Sequence, residues 1–452
     1  MTGPRLPALV GDLVPGLLFA AALTLFVARI DIPGGYIYDE VYHAYTAGEY
    51  VRGNADAFLW DTTAPRSGVA YMWNHPPLGV LLIASGILFG GNDSFGWRIP
   101  SAIVGAAGIV LAFVLALRLT HRRGVATLAA GLLLLDGLYF VQSRTGMLDI
   151  FLTFFMMGAM LAFYAYLTTF RRQSGRFVVI TGTFLGLAIA TKWSAIYPAA
   201  IVGCIAVARA IVRQPPMEEP AGPVALPAFS LAGRSGGERG GILVLRELAW
   251  VALGLILIPA AIYLAAYIPF FATGHRWDQF VELQNQILYY HSHLHASHPY
   301  RSQWWQWPLA LRPVWYYVAH VGDRVANIYA NGNPALSIAF VPAALAVVVA
   351  WWRRRDPAGW VLLAGFFGQW LPWALVPRIA FAYHFLPATP FGCIAVAAVL
   401  GALYRGGVLG RVVCVAYVAV VAASFAFFYP LYAAVPLTKQ AFELRMLLPS
   451  WR

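Results

Sequence analysis

Charge is what this chain has least of: 11% of its 452 residues are charged, against about a quarter in an ordinary soluble domain. So few charges cannot clothe a water-facing surface, and a soluble globular protein is excluded. With 60% hydrophobic residues and a mean hydropathy of +0.67, the chain reads as an integral membrane protein. Cysteine is scarce too. Cys204, Cys393 and Cys414 all lie inside apolar runs without CxxC spacing, which implies neither a disulfide framework nor a metal knuckle. No repeat of fixed period and no inverted symmetry between halves is present, so the repeat architecture of many transporters has no support. The net charge of +12 sits in short connections and two longer loops. It reads as topological arginine facing anionic headgroups, and no nucleic-acid partner is implied.

Long apolar runs fill most of the chain. Each run of roughly 17 to 25 residues can cross a hydrocarbon layer ~30 Å thick as a helix, and lipid leaves no water for open strand edges. The fold class expected is an all-α polytopic bundle with eleven spans, near 11–29, 99–119, 124–142, 148–170, 177–191, 196–212, 247–270, 334–352, 358–376, 383–404 and 408–430. The run from Pro77 to Gly91 is short, and treating it as re-entrant or interfacial keeps Arg118, Arg122 and Arg123 on the cytoplasmic side. Two long external loops follow, 30–98 and 271–333. Residues 213–246 read as a flexible cytoplasmic linker. Residues 1–333 would form an N-terminal catalytic module, and 334–452 a C-terminal four-helix region. The first apolar run lacks a small-residue cleavage pattern before Arg29 and reads as a retained helix rather than a signal peptide.

Chemistry concentrates outside. Asp39 and Glu40, in YIYDEVYHAYTAGE, are adjacent, so their side chains point in different directions and suit different jobs. One can be a general base while the other orients a substrate or a nearby cation; a solvated acidic loop is the competing reading. His75, in WNHPPLG, follows in the same loop, as substrate contact or interfacial histidine. Arg98, Arg144, Lys192 and Arg378 all fall at the external face, where topology disfavours cations, and together would cradle an anionic headgroup. A snorkelling Arg98, and an Arg144–Asp149 pair that merely braces a turn, are the structural alternatives. Asp136 lies within a span, as functional acid or helix-to-helix hydrogen bond. His291, His293, His295 and His298 invite a metal, but no spacing among them fixes a tetrahedral site. No cofactor is assigned, and a divalent metal has no support from sequence.

The phrases YDEVYHA at 38–44, HPPLG at 75–79, WRIPSA at 97–102, DGLYFVQSRTGMLDIF at 136–151, TKWSAIY at 191–197 and HPYRSQWWQWPL at 298–309 resemble the protein O-mannosyltransferase family, membrane glycosyltransferases with the GT-C fold. The resemblance spans most of the chain in family order. It implies mannose transfer from polyprenyl phosphate mannose to Ser or Thr hydroxyls of exported proteins, at the external face of the plasma membrane and in possible reach of the secretion machinery. Eukaryotic members insert a large sugar-binding domain in the second external loop. Here that loop covers only 271–333, as in the shorter bacterial form, and 29 of 31 basic residues are arginine, as in GC-rich genomes.

The resemblance carries the acidic pair onto Asp39 and Glu40 and a functional arginine onto Arg98. A polyprenyl phosphate leaves as a stable anion, so no acid partner is required. The expectation is Asp39 as base, Glu40 positioning, and Arg98 with Arg144, Lys192 and Arg378 on the phosphate. His75, Asp149, His298 and Tyr300 would support these or bind acceptor. Two other readings stand beside this one. An aminoarabinose-transferase-like enzyme would act on a glycolipid or polysaccharide, and a secondary transporter would need broken helices and paired charges at the midplane.

Overall fold

The computed structural model describes residues 13–169, 171–212, 237–294 and 296–452. The expected start of the first helix, most of the linker and His295 lie outside the described residues. Long, largely apolar sequence gives helices α1 (Leu13–Val27), α2 (Glu40–Val51), α3 (Leu78–Gly90), α4 (Ser94–Thr120), α5 (Arg123–Leu134), α6 (Gly137–Gln142), α7 (Asp149–Thr168), α8 (Arg171–Thr191) and α9 (Ile196–Ile211). After the linker come α10 (Gly237–Ala252), α11 (Ile258–Ala266), α12 (Ile268–Ala272), α13 (Trp277–His293), α14 (Pro334–Arg353), α15 (Ala358–Leu362), α16 (Gly368–Trp370), α17 (Thr389–Leu403), α18 (Val408–Tyr432) and α19 (Lys439–Glu443). Helix α10 therefore begins ten residues before the expected end of the linker.

Among the described residues, eight helical segments are long and apolar enough to cross a membrane, and α1, α3 and α5 are shorter apolar helices. The eleven spans expected are thus not all reproduced as single long helices, for two visible reasons. The 124–142 run breaks at Asp136, whose carboxylate accepts from the Tyr139 amide at 2.9 Å and starts α6. The 358–376 run alternates α, π and 3-10 turns. The 13 residues of α3 rise only about 20 Å, short of the ~30 Å core.

Helix α4 is the central post, packed against α1, α3, α5 and α7. Asp93 caps its start by accepting from the Gly96 amide at 2.9 Å, and left-handed His121 ends it. Its Gly108 lets Tyr139 approach so closely that a Cβ there would sit 2.1 Å from the Tyr139 hydroxyl, which donates to the Gly105 carbonyl at 2.8 Å. The helix cannot accept Ala at Gly108 without displacing α6.

The helical bundle carries one small addition, a sheet outside its helices. Strands β1 (Val314–Val321), β2 (Arg324–Ala330) and β3 (Leu437–Thr438) form an antiparallel sheet in that order. The alternating VWYYVAHV and RVANIYA runs joined at Gly322, φ +61°, carry a hairpin signal. Buried Asn333 then stitches the two ends of the chain together. Its amide donates to Asp136, and its side chain donates to the Leu135 and Val421 carbonyls, all within 2.9–3.1 Å.

Candidate active site

Asp39 is the residue before α2, where an aspartate normally accepts from an amide of the first turn. Here its backbone is already helical, φ −74° and ψ −1°, and its side chain makes no capping bond. The carboxylate turns instead into a partly buried space shared with Lys192 and Asp149. Burial pushes it up to about 7, with Asp149 adding and Lys192 opposing. Tyr38, just before it, holds a left-handed φ of +46°, a conformation that costs a bulky residue roughly 1 kcal/mol.

Glu40 has the opposite surroundings. It is 0% exposed, and its two oxygens accept from Arg98 Nε and Nη2, both at 2.7 Å, from the Ile37 amide at 3.0 Å and from the Gly146 amide at 2.8 Å. Arg98, 1% exposed, also donates to the carbonyls of Ile30, Pro33 and Gly35. Every guanidinium donor is used, which corrects the expectation that Arg98 meets a donor phosphate. The pair ties the start of the first external loop to α4.

Arg144 is likewise committed elsewhere. It donates to the carbonyls of Ala28 at 2.7 Å and Arg29 at 2.9 Å and lies over the Phe140 ring. It thus closes the C-terminal end of α1, where orphan carbonyls favour a cation. The expected Arg144–Asp149 pair is not formed, because Asp149 opens α7 facing Lys192, whose ammonium donates to both its oxygens at 2.8 and 3.0 Å.

Lys192, buried at the α8–α9 turn, lies 5.3 Å from the Tyr383 ring. Tyr38 stacks on Tyr316 at 4.4 Å and 8° and meets Tyr383 edge-on at 6.0 Å. Tyr316 owes its position to a register shift between Trp315 and Tyr317. The extra residue of a bulge leaves the ladder and is re-aimed; the hydroxyl of Tyr316 accepts from Gln142 at 2.7 Å. Burial, with Tyr38 and the Asp39 carboxylate adding, lifts Tyr316 well above the ordinary phenol range. Asp39 thus lies beside the Lys192–Asp149 ion pair, next in the chain to a Tyr38 ring packed on Tyr316 and Tyr383.

His75 stacks on His291 at 5.0 Å, and the His291 ring bonds the Asn74 carbonyl. Burial, reinforced by the charges of Lys192 and Arg378, holds His75 well below the ordinary imidazole range and brings His291 down to about 4. Arg378 lies 5.7 Å from the Trp373 ring and has no ion-pair partner among the described residues. His298 meets Tyr38 edge-on at 6.3 Å and accepts from the Tyr300 amide, while Tyr300 stacks on Trp315. Among the described residues no three His, Cys, Asp or Glu side chains gather to hold a metal.

The structure therefore brings Asp39, Asp149, Lys192, His75, His298 and Arg378 to one end of the bundle and takes Arg98, Arg144 and Glu40 out of substrate contact. Tyr38, Tyr316 and Tyr383 were missed by sequence reasoning. The adjacency of Tyr38 to Asp39 was a signal; the bulge that delivers Tyr316 has no signature in spacing.

The chain matches the model of dolichyl-phosphate-mannose-protein mannosyltransferase over residues 16–275 and that of the C-terminal four-helix region of protein O-mannosyltransferase over 276–451. It is 31% identical to polyprenol-phosphate-mannose protein mannosyltransferase of Mycobacterium tuberculosis, over 100% of this chain and 93% of that one. Identity to the Corynebacterium glutamicum protein of the same name is 28%, over 84% and 81%. Among solved structures, the Saccharomyces cerevisiae Pmt1–Pmt2 complex bound to its sugar donor shares the fold with a TM-score of 0.78 at 15% identity, over 99% of this chain and 93% of that one. ArnT of Cupriavidus metallidurans shares it with 0.54 at 16% identity, over 97% and 77%.

Proposed function

The chain belongs to the dolichyl-phosphate-mannose-protein mannosyltransferase family, and on that premise we propose that it transfers mannose from polyprenyl phosphate mannose to a Ser or Thr hydroxyl, with Asp39 as general base. The observation that carries the role of Asp39 is the division between neighbouring carboxylates. Glu40 has every oxygen engaged in the fold, whereas Asp39 has none and opens toward a cation.

The chemistry follows from that division. A Ser or Thr hydroxyl is a poor nucleophile until a base takes its proton. Asp39 accepts that proton as the hydroxyl oxygen bonds to C1 of mannose. The C1–oxygen bond to phosphate breaks, its electron pair leaves on the phosphate, and polyprenyl phosphate departs with inversion at C1. Lys192 and Arg378 meet the phosphate charge, Arg378 with the freer hand because Lys192 is shared with Asp149. Tyr38, Tyr316 and Tyr383 line the sugar's place with rings and hydroxyls. A base near pH 7 is matched to this work: about half ionised in neutral solution, yet basic enough to take a proton.

The chain is a multi-pass membrane protein. We place the reaction at the external face of the plasma membrane, where emerging exported chains supply acceptor hydroxyls. The test is transfer of labelled mannose from polyprenyl phosphate mannose to a Ser/Thr-containing peptide in membranes. Transfer that is lost in Asp39→Asn supports the reading. Transfer to a membrane lipid with none to peptide replaces it with the glycolipid reading.

A further inference from the structure

Beside the reactive end lies an open cleft of about 470 Å³ lined by His298, Pro299, Arg301, Ser302, Gln303, Gln306 and Arg312. None of these residues is used in the transfer step described above. Two features connect the cleft to that step. The ring of His298 forms one wall and meets Tyr38, the residue before Asp39, edge-on. The Ser302 amide donates to the Ala380 carbonyl at 2.9 Å, joining the cleft floor to the segment that carries Arg378 and Tyr383. Whatever sits in the cleft therefore sits next to the base.

The lining has a sign. Arg301 and Arg312 are its only ionised groups by residue type, no carboxylate lines it, and neither arginine forms an ion pair among the described residues. Arg312 is oriented by the Pro299 carbonyl, which accepts from its Nε at 3.1 Å; Arg301 is exposed, with no side-chain hydrogen bond among the described residues. The remaining lining offers amides and a hydroxyl, groups that pair with the peptide backbone. The Gln306 carbonyl oxygen is taken by the Gln303 amide at 2.7 Å, which fixes the Gln306 side chain in place. Pro299 and the His298 ring are the only apolar faces in the lining, too little for an acyl chain, whereas an extended polar segment with a negative side chain finds both its partners.

We propose that this cleft is the acceptor subsite, and that it selects Ser/Thr segments carrying an Asp or Glu a few residues from the modified hydroxyl. The proposal rests on the mannosyltransferase reading and adds to it which acceptors are favoured. An arginine pair at a solvent-accessible rim tunes affinity without touching the reacting atoms. It therefore acts on KM for the acceptor, not on kcat.

The experiment compares three peptides, identical except for one flanking position that is Glu, Gln or Lys, at saturating polyprenyl phosphate mannose in vesicles of neutral lipid. The wild type should show a KM about five-fold lower for the Glu peptide than for the Gln peptide, with equal kcat. R301Q/R312Q should erase that difference, and R301E/R312E should favour the Lys peptide. That switch is one a misfolded protein cannot show. Equal KM for Glu and Gln peptides in the wild type overturns the proposal. So does a preference that survives R301Q/R312Q, or an effect of these variants that appears only on adding anionic lipid, which assigns the arginines to the membrane. Failure of the wild type to mannosylate any peptide rejects the transferase reading itself and is distinct from all of these.

Discussion

Glu40 and Arg98 meet in a two-bond fork, 2.7 Å on each arm, with both side chains sealed from solvent. Because the same guanidinium holds the carbonyls of Ile30, Pro33 and Gly35, the pair fixes the approach to Asp39 as well as its neighbour. Removing Arg98 leaves a buried carboxylate with half its partners. Arg98→Ala is expected to destabilise the protein by about 3–5 kcal/mol, read as a lower unfolding midpoint in detergent and earlier proteolysis of loop 30–98. Arg98→Lys should restore little, since a point charge cannot reproduce the fork.

Asp39→Asn should behave in the opposite way. Its carboxylate makes no capping bond, so the unfolding midpoint should not drop below the wild-type value while kcat falls by about 10²–10⁴-fold. Retained binding of polyprenyl phosphate, measured alongside, excludes a collapsed site.

The pH dependence has a defined sign. As the proposed base, Asp39 would work deprotonated, so kcat/KM should rise with unit slope below about pH 7 and level off above it. Stability should run the other way. A carboxylate raised from its unfolded value binds more protons in the folded state between roughly pH 4 and 7, so folding is favoured at the acid end of that window and this contribution is lost as pH rises through 7. The unfolding midpoint of Asp39→Asn should therefore exceed that of the wild type at pH 8 and match it near pH 4.

Arg378 and Lys192 should separate cleanly. Arg378→Gln breaks no ion pair among the described residues and is expected to raise the donor KM by about ten-fold, the equivalent of one charge-assisted hydrogen bond, with an unchanged midpoint. Lys192→Gln strands the buried Asp149 carboxylate, so activity and about 3–5 kcal/mol of stability should be lost together. Donor titrations and unfolding curves on both variants check the contrast.

Sequence reasoning reached the membrane bundle and the gathering of the acidic pair with Lys192, Asp149 and Arg378 at one end of it, because hydropathy and loop charge sort the connections between helices into two sets. It did not assign partners. Arg98 and Arg144 were read as phosphate ligands since both are cations at the external face, yet each is consumed by backbone carbonyls that become available only once α1 and loop 30–98 fold back on α4 and α6. Asp136 was left between acid and structural bond; three residues of local context made it a helix cap. Tyr316 was invisible because a one-residue register shift decides which face it takes.

Asp136 and Asn333 lie in the segments matched by two different family models, and they are hydrogen-bonded to each other in the core. The same division runs through the reactive end, where Asp39 and Lys192 come from one segment and Tyr316, Arg378 and Tyr383 from the other. Asn333 thus knots α5, α6, α14 and α18 through hydrogen bonds buried in the core, so a substitution there would be felt at the reactive end without touching any residue in it.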